Sequence, residues 1–222
     1  LIAELKRSSP SKGVLAAHLD LALAAELYAA NGAAAVSVLT DEAFFNGQLE
    51  TLRELRFTRK LGLPLLRKDF IIHEAQLYET RAAGADAVLL IAAALPDDAL
   101  FADLHALALE LGLTPLVEVH SAEETRRVLQ LPGLRMVGIN NRSLETFEVT
   151  LETTENLRPL IPAGVIVVAE SGIFTAADVA RAARAGADAV LVGEALVTAD
   201  DIPARVRELS GKYVLAVEGE LL

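Results

Sequence analysis

Eight short apolar runs recur along the chain, each pair separated by room for a helix and two loops. They are LIAELK (1–6), AVSVLT (35–40), PLLRKDF (64–70), AVLLIA (87–92), TPLVEV (114–119), MVGINN (136–141), VIVVAES (165–171) and AVLVGE (189–194). Few polar residues alternate within them, the pattern of parallel strands covered on both faces. The segments between are rich in alanine and leucine. Most end in glycine, the usual helix stop, as in LALAAELYAANG (21–32) and AADVARAARAG (176–186). Eight such units favour a single α/β domain, a (β/α)8 TIM barrel of eight parallel strands, over an open doubly wound sheet.

An internal echo supports the barrel. GAAAVSV (32–38), GADAVLL (84–90), GLRMVGI (133–139) and GADAVLV (186–192) fall on the even-numbered strands. Their central valines, Val36, Val88, Val137 and Val190, lie 52, 49 and 53 residues apart, each about two units. Alternate strands supply each interior layer of such a barrel. The expected domain runs over 1–210. The remaining GKYVLAVEGELL (211–222) is apolar and strand-like and forms a tail of unassigned role.

Composition narrows the function. With 20 Lys and Arg against 31 Asp and Glu, the net charge is −11. That gives no bulk attraction for nucleic acid or an anionic membrane, so an anionic ligand needs a local basic site. The absence of cysteine excludes disulfides, thiol catalysis and thiolate metal sites, and suits a reducing, cytoplasmic setting. No apolar run reaches about 18 residues, and no signal peptide is read. The chain begins with leucine, directly in a strand. The corresponding expectation is a fragment, or a chain that has lost an upstream segment.

Active sites of this fold lie at the carboxyl ends of the strands. There the sequence places Glu4 and Lys6, Lys68 and Asp69, Glu118, then Asn140, Asn141 and Arg142, then Glu170, Ser171 and Gly172, and finally Gly193 and Glu194. Glu4 and Lys6 are two residues apart and so share a strand face. Burial lowers a lysine's pKa and nearby carboxylates raise it, so Lys6, Lys68, Glu4 and Glu118 can hold an acid and a base ready together. An internal salt-bridge network that plugs the barrel end is the competing reading. Glycines after strands 7 and 8, in ESGI and VGEAL, suit close backbone approach of a phosphate to helix N-termini. Glu194 must then point away and offer only its backbone N–H. His18, His73, His105 and His120 are scattered, show no metal-ligand pairing, and read as solvated or loop residues. No metal site is expected, nor is any Rossmann or Walker glycine pattern present.

LIAELKRSSPSKG, AVSVLTDEAFFNG, PLLRKDFII, LVEVH, GINNRSLETFEV, VAESGI and VLVGEAL together resemble the indole-3-glycerol phosphate synthase family, in family order to about residue 200. The resemblance implies conversion of 1-(2-carboxyphenylamino)-1-deoxyribulose 5-phosphate to indole-3-glycerol phosphate, carbon dioxide and water, with no cofactor. It implies Lys68 as general acid, Glu118 as general base, Lys6 as the partner of the substrate carboxylate, and Glu4 as an orienting residue. Asn140 and Ser171 would contact substrate hydroxyl and carboxylate groups. Arg142 and Glu170 would belong to the substrate-facing rim. Ser9, Gly172, Gly193 and Glu194 would cradle the phosphate, and Phe70, Phe45 and Leu39 would form a slot for the aromatic ring. The first loop, RSSPSKG, is a candidate flexible lid.

The family normally carries a segment before this first strand, with a helix over the barrel mouth. Its absence from the sequence leads to an expectation of weakened substrate binding. A monomer is expected. Two rivals stay open: a barrel scaffold that binds phosphate ligands with little activity, and a Schiff-base lysine barrel of the aldolase kind.

Overall fold

The computed structural model describes residues 1–9, 13–16, 18–143 and 146–211. The side chain of Ser9 lies outside the described part, as does the expected tail beyond Gly211. Among the described residues, eight parallel strands close into a barrel. They are β1 (Ile2–Leu5), β2 (Ala35–Leu39), β3 (Leu65–Lys68), β4 (Ala87–Ile91), β5 (Thr114–Val119), β6 (Met136–Asn140), β7 (Ile166–Glu170) and β8 (Ala189–Val192). Each falls within a predicted apolar run.

Helices cover the outer wall: α1 (Leu21–Asn31), α2 (Leu49–Arg53), α3 (Glu74–Ala82), α4 (Asp98–Glu110), α5 (Ala122–Val128), α6 (Glu152–Leu157), α7 (Ala176–Arg184) and α8 (Ile202–Leu209). Their starts are written in short polar side chains. Asp20 accepts from the backbone of Ala22 and Leu23, and Thr175 with Asp178 forms a capping box. Two helices end in irregular turns. α2 widens after Arg53 into a π turn, Glu54–Thr58, where Arg56 leaves the helix surface to donate to the Gly84 carbonyl at 2.8 Å. α6 gives way to a 3-10 turn, Arg158–Leu160, because Pro159 has no N–H to continue the α-helical ladder.

The apolar core has two parts. The larger fills the space between strands and helices, around residues such as Leu5, Tyr28, Leu55, Leu90 and Phe101. The smaller lies inside the barrel: Leu66, Leu89, Ile91, Leu116, Val168 and Leu191. Such alternation makes the wall a two-sided surface, which explains the nearly continuous apolar runs.

The GADAV echo has a physical basis. Gly84 and Gly186 take positive φ angles of 87° and 93°, which turn each helix end back toward the sheet. Two residues on, Asp86 accepts from the Leu65 N–H and Asp188 from the Val167 N–H, both at 2.8 Å. Each aspartate therefore ties its own strand to the start of the preceding one. Arg56 and Arg158 donate to the two glycine carbonyls at 2.8 and 2.7 Å, so the same clamp is built twice.

Of the first loop, RSSPSKG, expected as a flexible lid, residues 10–12 lie outside the described residues. Ser8–Ser9 pairs antiparallel with Gly13–Val14, and Ser8 Oγ donates to the Phe45 carbonyl at 2.8 Å.

Candidate active site

Strand register decides which side chains meet. Glu4 pairs with Ser37 and Ser37 with Leu66, so two strands along, the level at right angles to the barrel axis has climbed two residues, to Lys68. The same two-residue step leads from Lys68 through Leu89 and Leu116 to Glu118, and through Gly138 and Val168 to Glu170. It returns through Leu191 and Ile2 to Glu4. Four odd strands thus place Glu4, Lys68, Glu118 and Glu170 on one interior level. The next odd level below is Ile2, Leu66, Leu116 and Val168, entirely apolar, so the charges stand on a hydrophobic floor.

The contacts follow from this stacking. Lys68 Nζ lies 3.0 Å from Glu170 Oε2 and 3.4 Å from Glu118 Oε2. Asn140 Nδ2 donates to Glu118 Oε1 at 3.1 Å. Lys6 sits at the next odd level up and pairs with Glu4 at 3.2 Å. Burial alone would depress the Lys68 ammonium, but Glu170, Glu118 and Glu4 outweigh it and hold the group above its ordinary value. Glu118 is buried too, yet Lys68, His120 and Asn140 pull its carboxyl well below the usual range. Glu170 goes the other way. Burial raises it, Lys68 offsets only part of that, and the charges of Glu118 and Glu4 add to the rise.

Two glycines of the wall make room for carboxylates. A Cβ on Gly138 would fall 2.1 Å from Glu170 Oε1, and one on Gly193 would fall 2.4 Å from Glu4 Oε1. Gly193 therefore has a packing duty beside the phosphate-facing one expected of it. Gly138→Ala is predicted to push Glu170 off its position, shift the Lys68 ammonium paired with it, and lower kcat about a hundredfold, the cost of misplacing a group by about 1 Å. Steady-state turnover alongside circular dichroism, which should remain native, checks this.

Behind Lys68 the strand turns Arg67 and Asp69 outward. Arg67 is buried and donates to Thr40 Oγ1 at 3.0 Å, the Gln76 carbonyl at 2.9 Å, Thr80 Oγ1 at 3.0 Å and Asp69 Oδ2 at 2.9 Å. Thr40 Oγ1 donates to the same Asp69 oxygen at 2.6 Å. Asp69, expected as a rim charge, is thus the partner of a buried arginine.

A cavity of about 460 Å³ opens above the charged level. It is lined by all the proposed catalytic residues, Lys68, Glu118, Lys6, Glu4, Asn140 and Ser171. The proposed binding residues Arg142, Glu170, Gly172, Gly193 and Glu194, with Phe70, Phe45 and Leu39, line it as well. Ser9 cannot be placed, since its side chain lies outside the described residues. Arg142 leans over its own loop, its Nη1 3.5 Å from the Phe147 carbonyl. Ser171 and Gly172 both take positive φ, 65° and 76°. Asn141 Nδ2 holds the Ser171 carbonyl at 3.1 Å. A side chain on Gly172 would also meet Val149 at 2.7 Å. A backbone of this shape, with no side chain at 172, lets a ligand come close to the main chain.

Sequence reasoning missed part of the mouth. Phe44 packs edge-on against Phe70, with ring centroids 6.2 Å apart, and Phe147 and Phe174 complete an exposed aromatic rim. It also missed two histidines. His105 lies on the buried face of α4, where burial lowers its pKa, and His120, in the loop just past β5 as expected, stands mostly shielded beside Glu118. The other two fit the expectation better: His18 is exposed and His73 caps α3. No cluster of potential metal ligands occurs among the described residues, and no helix there is long and apolar enough to cross a membrane.

A closed eight-stranded barrel with a level of buried ionisable side chains under an open cavity has the architecture of a (β/α)8-barrel enzyme. A family model described as indole-3-glycerol phosphate synthase matches residues 1–209. The chain belongs to that family, the carboxy-lyases of tryptophan biosynthesis. It is 56% identical over 218 residues to the indole-3-glycerol phosphate synthase of Roseiflexus castenholzii, covering 96% of this chain and 80% of that one. It is 50% identical over 210 residues to that of Dehalococcoides mccartyi strain CBDB1, covering 94% and 80%. Among solved structures, 3-hexulose-6-phosphate synthase from Salmonella typhimurium superposes with a TM-score of 0.71 at 15% identity, covering 96% of this chain and 97% of that one. Thiamine phosphate pyrophosphorylase from Pyrococcus furiosus gives 0.68 at 20%, covering 100% and 96%. At those identities the likeness speaks for the barrel fold alone.

Proposed function

We propose that this chain forms indole-3-glycerol phosphate with Lys68 as general acid and Glu118 as general base. The observation that carries the assignment is a lysine held between two carboxylates, 3.0 and 3.4 Å away, on the floor of an aromatic-rimmed cavity. Ring closure makes a bond from the carboxyl-bearing ring carbon to the substrate carbonyl carbon, and the Lys68 ammonium gives its proton to the carbonyl oxygen. Loss of carbon dioxide follows. Lys68, reprotonated from solvent, gives a second proton to the new hydroxyl, which leaves as water, while Glu118 takes up the proton lost from the methylene carbon of the new ring. Lys6 holds the substrate carboxylate, with Glu4 fixing the lysine. Asn140 orients Glu118. Ser171, Gly172, Gly193 and the Glu194 N–H receive the phosphate, and Phe70, Phe45 and Leu39 receive the aromatic ring. The strong protonation of Lys68 counts against the Schiff-base reading, which needs a neutral amine.

We take the chain to work as a monomer in the cytoplasm, a reading that its lack of cysteine suits. The test of the base is turnover of the carboxyphenylamino-deoxyribulose phosphate, followed by the fluorescence of the indole product. Glu118→Gln should lower kcat by about 10²- to 10⁴-fold. Undiminished turnover by this variant would remove Glu118 from the mechanism.

A further inference from the structure

The residue behind the base has no role in the chemistry derived so far. His120 follows Glu118 by two positions, immediately past the end of β5, and its ring meets the Glu118 carboxylate. Its side chain is 10% exposed and it does not line the cavity. Nε2 lies 3.2 Å from Glu118 Oε1, and Nδ1 lies 3.4 Å from Glu124 Oε2. Both are ion-pair contacts, and neither ring nitrogen has a hydrogen-bond partner among the described residues. Glu124 is itself fixed. It is the third residue of α5, its N–H bonds to the Ser121 cap at 3.1 Å, and its Oε2 accepts the His120 backbone N–H at 2.6 Å. A capping carboxylate of this kind ordinarily satisfies backbone alone. Here the same oxygen also faces an imidazole whose other nitrogen faces the catalytic carboxylate.

We propose that His120, gripped between Glu124 and Glu118, is a positioning residue that fixes the Glu118 carboxylate from behind. The proposal rests on the reading of Glu118 as the base. The division of labour between the two carboxylate oxygens makes the case. Asn140 and His120 both approach Oε1, while Lys68 approaches Oε2. Oε1 is thereby anchored to the wall, and Oε2 is left toward the cavity and the acid.

The charges around the ring are Glu118 on its own strand and Glu124 on α5, with Lys68 of β3 beyond Glu118. Burial alone would lower the imidazole pKa, but the two carboxylates outweigh it and push it up to about 9. The ring is therefore a cation through neutral pH. Because this value lies above the ordinary 6.5, the stability it contributes is complete below about 6.5 and is lost as pH rises through about 9.

The test uses His120→Leu, His120→Gln and Glu124→Gln in the full chain. Imidazole titration by NMR on histidine-labelled protein should place His120 well above the ordinary value, and lower in Glu124→Gln. The high-pH limb of kcat should follow, moving to lower pH in Glu124→Gln by the same amount, about tenfold in rate per unit on that limb. At neutral pH, His120→Leu should lose about tenfold in kcat or more with little change in KM, and His120→Gln, which keeps a donor, should recover part of it. A His120 that titrates at or below its ordinary value in the native protein would overturn the proposal. So would a kcat profile unmoved in Glu124→Gln while the imidazole pKa falls. If His120→Leu does not fold, Glu124→Gln decides alone, since Glu124 lies at the helix edge. Full activity in Glu118→Gln would instead strike the base assignment, and the imidazole titration would still report whether the ring carries charge against Glu118.

Discussion

Lys68→Ala is expected to lower kcat by about 10²- to 10⁴-fold, the contribution of a positioned general acid, with a smaller change in KM. The lysine reaches the charged level from β3, where the pleat turns it inward between Arg67 and Asp69. Its ammonium is the cation on a level that also holds Glu4, Glu118 and Glu170, with Lys6 one level higher beside Glu4. Removing it takes away the proton donor for the carbonyl oxygen. It also takes the counter-charge from between Glu118 and Glu170 and leaves Glu118 with His120 alone at Oε1, so both carboxyl groups should take up protons more readily. Loss of the acid and a weaker hold on the base's ionised state thus come from one substitution. Stopped-flow or steady-state fluorescence of the indole product measures the first effect. A variant that keeps full turnover would overturn the assignment.

The second large effect concerns stability. Arg67→Ala is expected to cost about 3–5 kcal/mol, because removing one member of a buried ion pair strands the other. Among the described residues Asp69 would keep only Thr40 and the Phe70 N–H, and Thr80 would lose its arginine partner. For a chain of this size that corresponds to a fall in Tm of roughly 6–20 °C. Thermal unfolding followed by circular dichroism checks it. A loss under about 1 kcal/mol would mean that the network is not what holds β3 against α3.

Much of this was legible in sequence because parallel strands buried on both faces leave a strong trace. All eight runs became strands, and the two GADAV segments became the two aspartate clamps. The candidate site was legible for a related reason: ionisable residues at the ends of buried strands have few structural explanations. What stayed hidden depended on register and on neighbours distant in sequence. Glu170 reads as one more rim charge until the two-residue climb per pair of strands sets it on the level of Lys68. Gly138 reads as an ordinary strand glycine until the Glu170 carboxylate is seen in the space a Cβ would fill. Arg67 and Asp69 bracket Lys68 in sequence, yet their partners Thr40, Gln76 and Thr80 come from other elements. His120 was within reach, since the spacing that joins Glu4 to Lys6 also joins it to Glu118. Its type, common on surfaces, concealed it.

The apolar floor and the charged level above it also bear on how this barrel can be changed. A (β/α)8 interior is ordinarily filled by branched apolar side chains packed level on level. Here one full level is surrendered to groups that would each prefer water. Replacing buried ionic sets by apolar residues of like volume often leaves a protein as stable or more so. The inner wall therefore has a latent, sturdier form that catalyses nothing, reached by filling the level of Glu4, Lys68, Glu118 and Glu170 with aliphatic side chains. Robustness and chemistry compete for the same four positions, and selection for heat resistance alone would draw the sequence toward that inert barrel.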